Sequence, residues 1–294
     1  MIRQELLAVM PGAPPAALPE GAVAVEAAGL TAILAPPLRN RLTGRRALLS
    51  HAAQRQANLE RLMPQGTVIP ALGGTLASTA EMAHALAANH PMLLDLASRL
   101  DGQVQYQVHV AWEAAAAAEH FGTDEPLDRL RARLATHVAD SLAEVATETL
   151  TLPVRDAIIA NHALLLPFHH VARLDQAVER IDALWTEGLT IRQIGPSPAV
   201  SFASIGLRRI SAAAIRSARR LLGVEDGAFD ATRLRELRRN RLMAAAETER
   251  ADLRRAAEIL SGVVNYPEGE SGFHLAYVWS EGRAESQQAE RSAA

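Results

Sequence analysis

The chain has 294 residues, a formal net charge of −3 and no cysteine, and all 30 of its strongly basic side chains are Arg. That length suggests two domains with cores large enough to need no staples. The composition excludes disulfide frameworks, Cys-zinc sites, thiol nucleophiles and lysine-based Schiff-base or Walker chemistry, and the charge argues against a general binder of nucleic acid or anionic membrane.

From the N-terminus, Leu6 to Met10 reads as a short strand; it is too short for a signal-peptide core and has Glu5 in front of it. No apolar run reaches the length of a membrane span, so a cytoplasmic protein with no membrane contact is expected. Val23–Ala27 and Leu30–Ala35 flank Gly29 as a β-hairpin. Arg45 to Met63 predicts a helix with Leu48, Ala52, Leu59 and Leu62 inward, stopped by Pro64–Gln65–Gly66. Thr67 to Leu72 reads as a buried strand, broken by Gly73–Gly74–Thr75. Ser78 and Glu81 have the spacing of a capping box, and the helix behind them turns Met82, Leu86, Leu93, Leu96 and Leu100 inward, kinked or split at Pro91.

Gln103 to Trp112 is the clearest strand. Val104, Tyr106, Val108, Val110 and Trp112 share one face, while Gln103, Gln105, Gln107 and His109 share a wet one. A polyalanine run follows, then a helix capped by Thr123 or Asp124, with Leu127, Leu130, Leu134, Val138, Leu142 and Val145 as its core stripe. Leu150, Leu152 and Val154 alternate, and Ala163 to Phe168 is another strand. A helix from about Ala172 to Glu187, ended by Gly188, precedes a strand at Leu189–Ile194 and a turn at Gly195–Pro196–Ser197–Pro198.

The order strand, helix, two strands, helix, strand is that of a ferredoxin-like βαββαβ domain. The fold class expected is therefore α+β. A small N-terminal α+β domain spans 1–101, a ferredoxin-like domain 102–207, an Arg-rich and mainly helical extension 208–280, and a polar, disordered tail 281–294. Within the extension, Leu234 with Leu237 and Leu253 with Ala256, Ala257 and Leu260 mark helices. Phe273, Leu275, Tyr277 and Trp279 alternate as a terminal strand.

Catalytic chemistry is hard to find. His84 and His90 are six apart and do not share a helical face, and His169–His170 lacks further partners, so no metal or other cofactor is expected. No nucleophile elbow occurs. Gly73–Gly74–Thr75 before a helix could cradle a phosphate on free N–H groups. It lacks the full glycine-rich loop and the lysine, so a plain strand-to-helix turn is preferred. The Arg residues of 208–260 are interleaved with acids and have few aromatic companions, which favours a solvated helical surface over a nucleic-acid site.

Two motifs carry a family resemblance. Val68–Ile69–Pro70–Ala71–Leu72–Gly73–Gly74–Thr75 resembles the V-L-P-V-R-F-G-T signature of the gas vesicle GvpL/GvpF family. Gly195–Pro196–Ser197–Pro198–Ala199–Val200–Ser201–Phe202 is similar to that family's G-P-W-P-P-Y-S-F ending. The family's Arg and Phe are Leu72 and Gly73 here, and its Trp, second Pro and Tyr are Ser197, Ala199 and Val200. What remains is Pro70, Gly74, Thr75, Gly195, Pro196, Pro198, Ser201 and Phe202, a set that shapes backbone and offers an interaction surface. The resemblance covers roughly residues 1 to 205. It implies a non-enzymatic, gas vesicle-associated assembly factor or minor component that contacts the shell protein GvpA and other accessory gas vesicle proteins. The rival reading is a small-molecule sensor or enzyme using a ferredoxin-like cleft.

Overall fold

A computed structural model of the chain describes residues 3–36, 44–122, 126–155, 157–224 and 229–282; the cap expected at Thr123 or Asp124 and the tail beyond Gly282 lie outside them. The elements of the first half are β1 (Gln4–Pro11), β2 (Val23–Ala27), β3 (Leu30–Ala35), α1 (Arg45–Leu62), β4 (Ile69–Pro70), β5 (Leu76–Ala77), α2 (Thr79–Ala88), α3 (His90–Leu100), β6 (Gln103–Trp112), α4 (Ala114–His120) and α5 (Leu127–Ala143). There follow β7 (Glu148–Thr151), β8 (Ile158–Pro167), α6 (Val171–Asp182), β9 (Leu189–Ser197), β10 (Ser204–Ser211), α7 (Ala212–Leu222), α8 (Ala231–Ala244), α9 (Glu247–Asn265) and β11 (Gly272–Trp279). They form two compact units. One joins Met1–Ser98 to Ile205–Val278; the other holds Arg99–Ser204 and the residues from Trp279.

In the first unit, an antiparallel sheet runs in the order β2-β3-β1-β4, with β5 also on β1. The β2–β3 hairpin turns through Ala28 and Gly29, both at positive φ, the geometry whose twist matches the strands it joins. β1 is central, so it is buried from Glu5 to Met10, and Leu6 to Met10 reads as an unbroken apolar run rather than an alternating one. Leu48 of α1, expected inward, is 54% exposed; the inward stripe is Arg55, Leu59 and Leu62. The Thr67–Leu72 strand shrinks to Ile69–Pro70. The capping box forms as read: Glu81 N donates to Ser78 Oγ at 3.3 Å, and Ser78 N donates to Glu81 Oε2 at 2.9 Å. The helix behind it splits at Asn89, placing Pro91 in the first turn of α3, where its missing N–H has no cost.

The rest of this unit comes from the last third of the chain. Ile215, Ala218 and Leu222 of α7, Leu234 of α8 and Leu253, Ala257 and Leu260 of α9 close a core with Phe273 and Leu275 of β11. β11 pairs with β10, a strand without counterpart in the sequence reading. Asn89 serves as a further partner for β11. Its Nδ2 donates to His274 O at 2.8 Å and to Ala85 O at 2.7 Å, and its Oδ1 accepts from Ala276 N at 2.8 Å.

In the second unit, four antiparallel strands take the order β7-β8-β6-β9, with α5 packed on β8 and α6 on β9. The apolar face of β6 is buried as read. Gln105, expected on the wet face, is only 6% exposed, its amide paired with Ser201. Leu127 of the expected α5 stripe is 42% exposed at the helix start. Helix α6 ends at Asp182 rather than at Gly188. Gly188 is needed for a different purpose: a Cβ there would lie 2.0 Å from the Trp185 indole. β7 stops at Thr151, leaving Leu152 and Val154 outside the sheet.

Candidate functional site

The first motif is held by a buried ion pair that the sequence reading missed. Ile69 and Pro70 pair with Val9 and Ala8 of β1, and Leu72 N donates to Ile205 O at 2.8 Å. The chain then turns: Thr75 N donates to Leu72 O at 3.2 Å and Gly74 takes a φ of 78°, where a side chain would be strained. Glu5 Oε1 accepts from Gly74 N at 3.1 Å and from Arg55 Nη1 at 2.9 Å, while Glu5 Oε2 lies 3.2 Å from His51 Nε2. Arg55 also donates to the carbonyls of Leu6, Leu7 and Ala71. Burial pulls its pKa below the ordinary arginine value, and Glu5 opposes that shift. One guanidinium thus ties α1, β1 and the first motif together. Its four-residue spacing before Leu59 was the available signal.

The same loop lines a cavity of about 550 Å³. Its walls are Arg3, Leu72–Leu76, Leu207 and Arg209 of β10, and His274 and Tyr277 of β11, all within the first unit. Arg3 Nη2 donates to Glu81 Oε1 at 2.6 Å. His274 is held below its usual pKa, first by burial; Glu81 pulls it up, and Arg3 and Arg209 push it down. Gly206 makes room for the wall: a Cβ there would lie 2.3 Å from the Tyr277 ring.

The second motif lies in the second unit and is a bulge rather than the turn that was expected. Gln105 and Gln107 of β6 face Ser197 and Ile194 of β9, so β9 carries one residue more than β6 between these pairs. The Gly195–Pro196 peptide bond is cis, and Pro196 is exposed there. A Cβ on Gly195 would lie 2.6 Å from the Tyr106 ring and 2.9 Å from Gln105 O. Ser197 Oγ donates to Gln105 O at 3.3 Å. The Gln105 side chain answers Ser201 twice: Nε2 donates to its Oγ at 3.2 Å, and Oε1 accepts its N–H at 2.9 Å. That pairing satisfies the buried amide. Pro198 and Phe202 are buried beside it. Pro70, Gly74 and Thr75 therefore meet in one unit, and Gly195, Pro196, Pro198, Ser201 and Phe202 in the other.

Among the described residues no group of three or more His, Asp or Glu side chains could hold a metal ion, and no helix is long and apolar enough to cross a membrane.

The architecture is that of a mixed α/β protein with several antiparallel sheets. Solved structures share it. The gas vesicle protein GvpF from Anabaena sp. PCC7120 is 20% identical, with a TM-score of 0.57 over 68% of this chain and 94% of its own. GvpF from Microcystis aeruginosa is also 20% identical, with a TM-score of 0.56 over 69% of this chain and 99% of its own. The family model described as gas vesicle synthesis protein GvpL/GvpF matches residues 8–137 and 122–204, two thirds of the chain and both motifs. The chain belongs to the GvpL/GvpF family. No curated protein matches it.

Proposed function

We propose that this protein acts in gas vesicle formation as a non-enzymatic assembly factor or minor component that grips the shell protein GvpA and accessory gas vesicle proteins. The observation that carries the reading is β9. It pairs with β6 alone among the described strands, five consecutive residues from Arg192 to Pro196 are exposed on it, and Ile194 is 59% exposed at their centre. An open strand edge with an apolar residue at its middle is a template for an added strand. β6, the most regular strand, is central and has no free edge. The strand order supports a ferredoxin-like reading of the domain proposed at 102–207, since the two strands that follow the helices, β7 and β9, occupy the two outer positions of the sheet as that fold requires. Of the eight motif residues, Pro70 ends β4, Gly74 and Thr75 form the turn after it, Gly195 and Pro196 form the β9 bulge, and Pro198, Ser201 and Phe202 lie in the segment that follows β9.

The test is deletion of the gene and complementation. Deletion should abolish or malform vesicles, and tagged protein should co-purify with the shell protein. Ile194→Asp should lose that co-purification while folding normally. Normal vesicles in a clean deletion, or turnover of a metabolite by the purified protein, would overturn the reading.

A further inference from the structure

The cavity at the first motif has more positive than negative charge. Its acidic neighbour, Glu81, is already committed: Oε1 accepts from Arg3 and Oε2 from Ser78 N. Arg209 faces the same space and has no acidic partner among the described residues. Thr75 and Tyr277 add hydroxyl groups to the wall, and Gly73 adds backbone without a side chain to block approach. These groups come from separate stretches of the chain, brought together by the β10–β11 pair and the Gly73–Gly74–Thr75 loop.

We propose that this cavity binds an oxyanion group, a phosphate or a carboxylate, with Arg209 as its principal cation and Arg3 beside it. A guanidinium presents a planar fork of donors that matches either group, and an anion here neutralises a charge that the protein leaves unbalanced. His274 strengthens the site at low pH. It faces Glu81 from α2, Arg3 from just before β1 and Arg209 from β10, and once protonated it adds a third cation.

The experiment is calorimetric titration of the full chain at constant ionic strength with inorganic phosphate and, separately, with succinate. Saturable binding of either is expected. Arg209→Gln should weaken it about tenfold, the loss of one charge-assisted hydrogen bond. Arg209→Lys, which keeps the charge and loses the fork, should fall between. Arg238→Gln on the exposed face of α8 should bind as the parent does. Tighter phosphate assigns a phosphoryl ligand, and tighter succinate assigns an acidic side chain or terminus. Sulfate, whose charge is constant in this range, should bind more tightly as the pH falls from about 6.5, the unperturbed histidine value, to about 5, because His274 protonates below that value. No saturable binding of phosphate or succinate, or equal affinity in the parent and in a folded Arg209→Gln, would overturn the proposal.

Discussion

Glu5 and Arg55 stand fifty residues apart in sequence and 2.9 Å apart in the fold, and both are nearly sealed from water. Because the same carboxylate accepts the Gly74 N–H, the pair fixes both the sheet and the first family motif.

Breaking that pair from one side should therefore be severe. Arg55→Met leaves Glu5 buried with only His51 and the Gly74 N–H beside it, strips a donor from three backbone carbonyls, and should cost about 3 kcal/mol. Glu5→Gln with Arg55→Met should recover part of that loss, because no charge is left buried. Urea unfolding of the parent, single and double variants checks this; a single variant within about 1 kcal/mol of the parent would remove the pair from the account.

The capping box has a pH signature. Glu81 is held at about 2, first by the Ser78 backbone N–H and further by Arg3, against an ordinary 4.5. Its folded-state pKa is depressed, so its contribution is full above about 4.5 and is lost as the pH falls through about 2. Ser78→Ala should cost about 1 kcal/mol at neutral pH and raise the Glu81 pKa only slightly, since the hydroxyl is lost while the residue 78 backbone N–H and Arg3 still hold the carboxylate. A carboxyl titration by NMR reads the shift, and an unmoved Glu81 would contradict it.

Gly195→Ala should destabilise the protein by about 2 kcal/mol or more, since a φ of 148° and a clash with backbone coincide there. Trimming the ring with Tyr106→Leu should not restore stability, because the Gln105 carbonyl remains 2.9 Å from the new methyl group. Thermal unfolding of the two variants decides it.

Asn89→Ala should cost about 2–3 kcal/mol through lost buried hydrogen bonds. Its local mark is sharper: the Ala276 amide loses its acceptor and should exchange with solvent far faster. Unchanged Ala276 protection would show that the amide is satisfied in some other way.

The helices and the long strand were legible because their apolar positions repeat at one period. α2, α3 and α9 bury the residues their stripes mark, and β6 spans the residues that alternate. Most of the misses share a cause: the deciding contact lies far along the chain. Gln105 looked solvated because Ser201 is 96 residues away. Leu48 looked inward because Arg55, with Glu5 to neutralise it, did not look like a core residue. The β10 strand was hidden by Arg208 and Arg209, which break its apolar pattern. Gly73–Gly74–Thr75 lacks both the full glycine-rich loop and the lysine of a phosphate cradle; Arg3 and Arg209 arrive there only through the tertiary fold. Nothing local announces that Ile205–Val278 shares a unit with Met1–Ser98.

That discontinuous unit sets an order of events on the ribosome. Arg99–Ser204 emerges as one uninterrupted stretch and can collapse while translation continues. Asn89 must wait until Ala276 has been made, 187 residues later, before its amide finds the strand it completes. For that interval the nascent N-terminal segment lacks the late-made residues that complete its unit, and Asn89 is without its β11 partners.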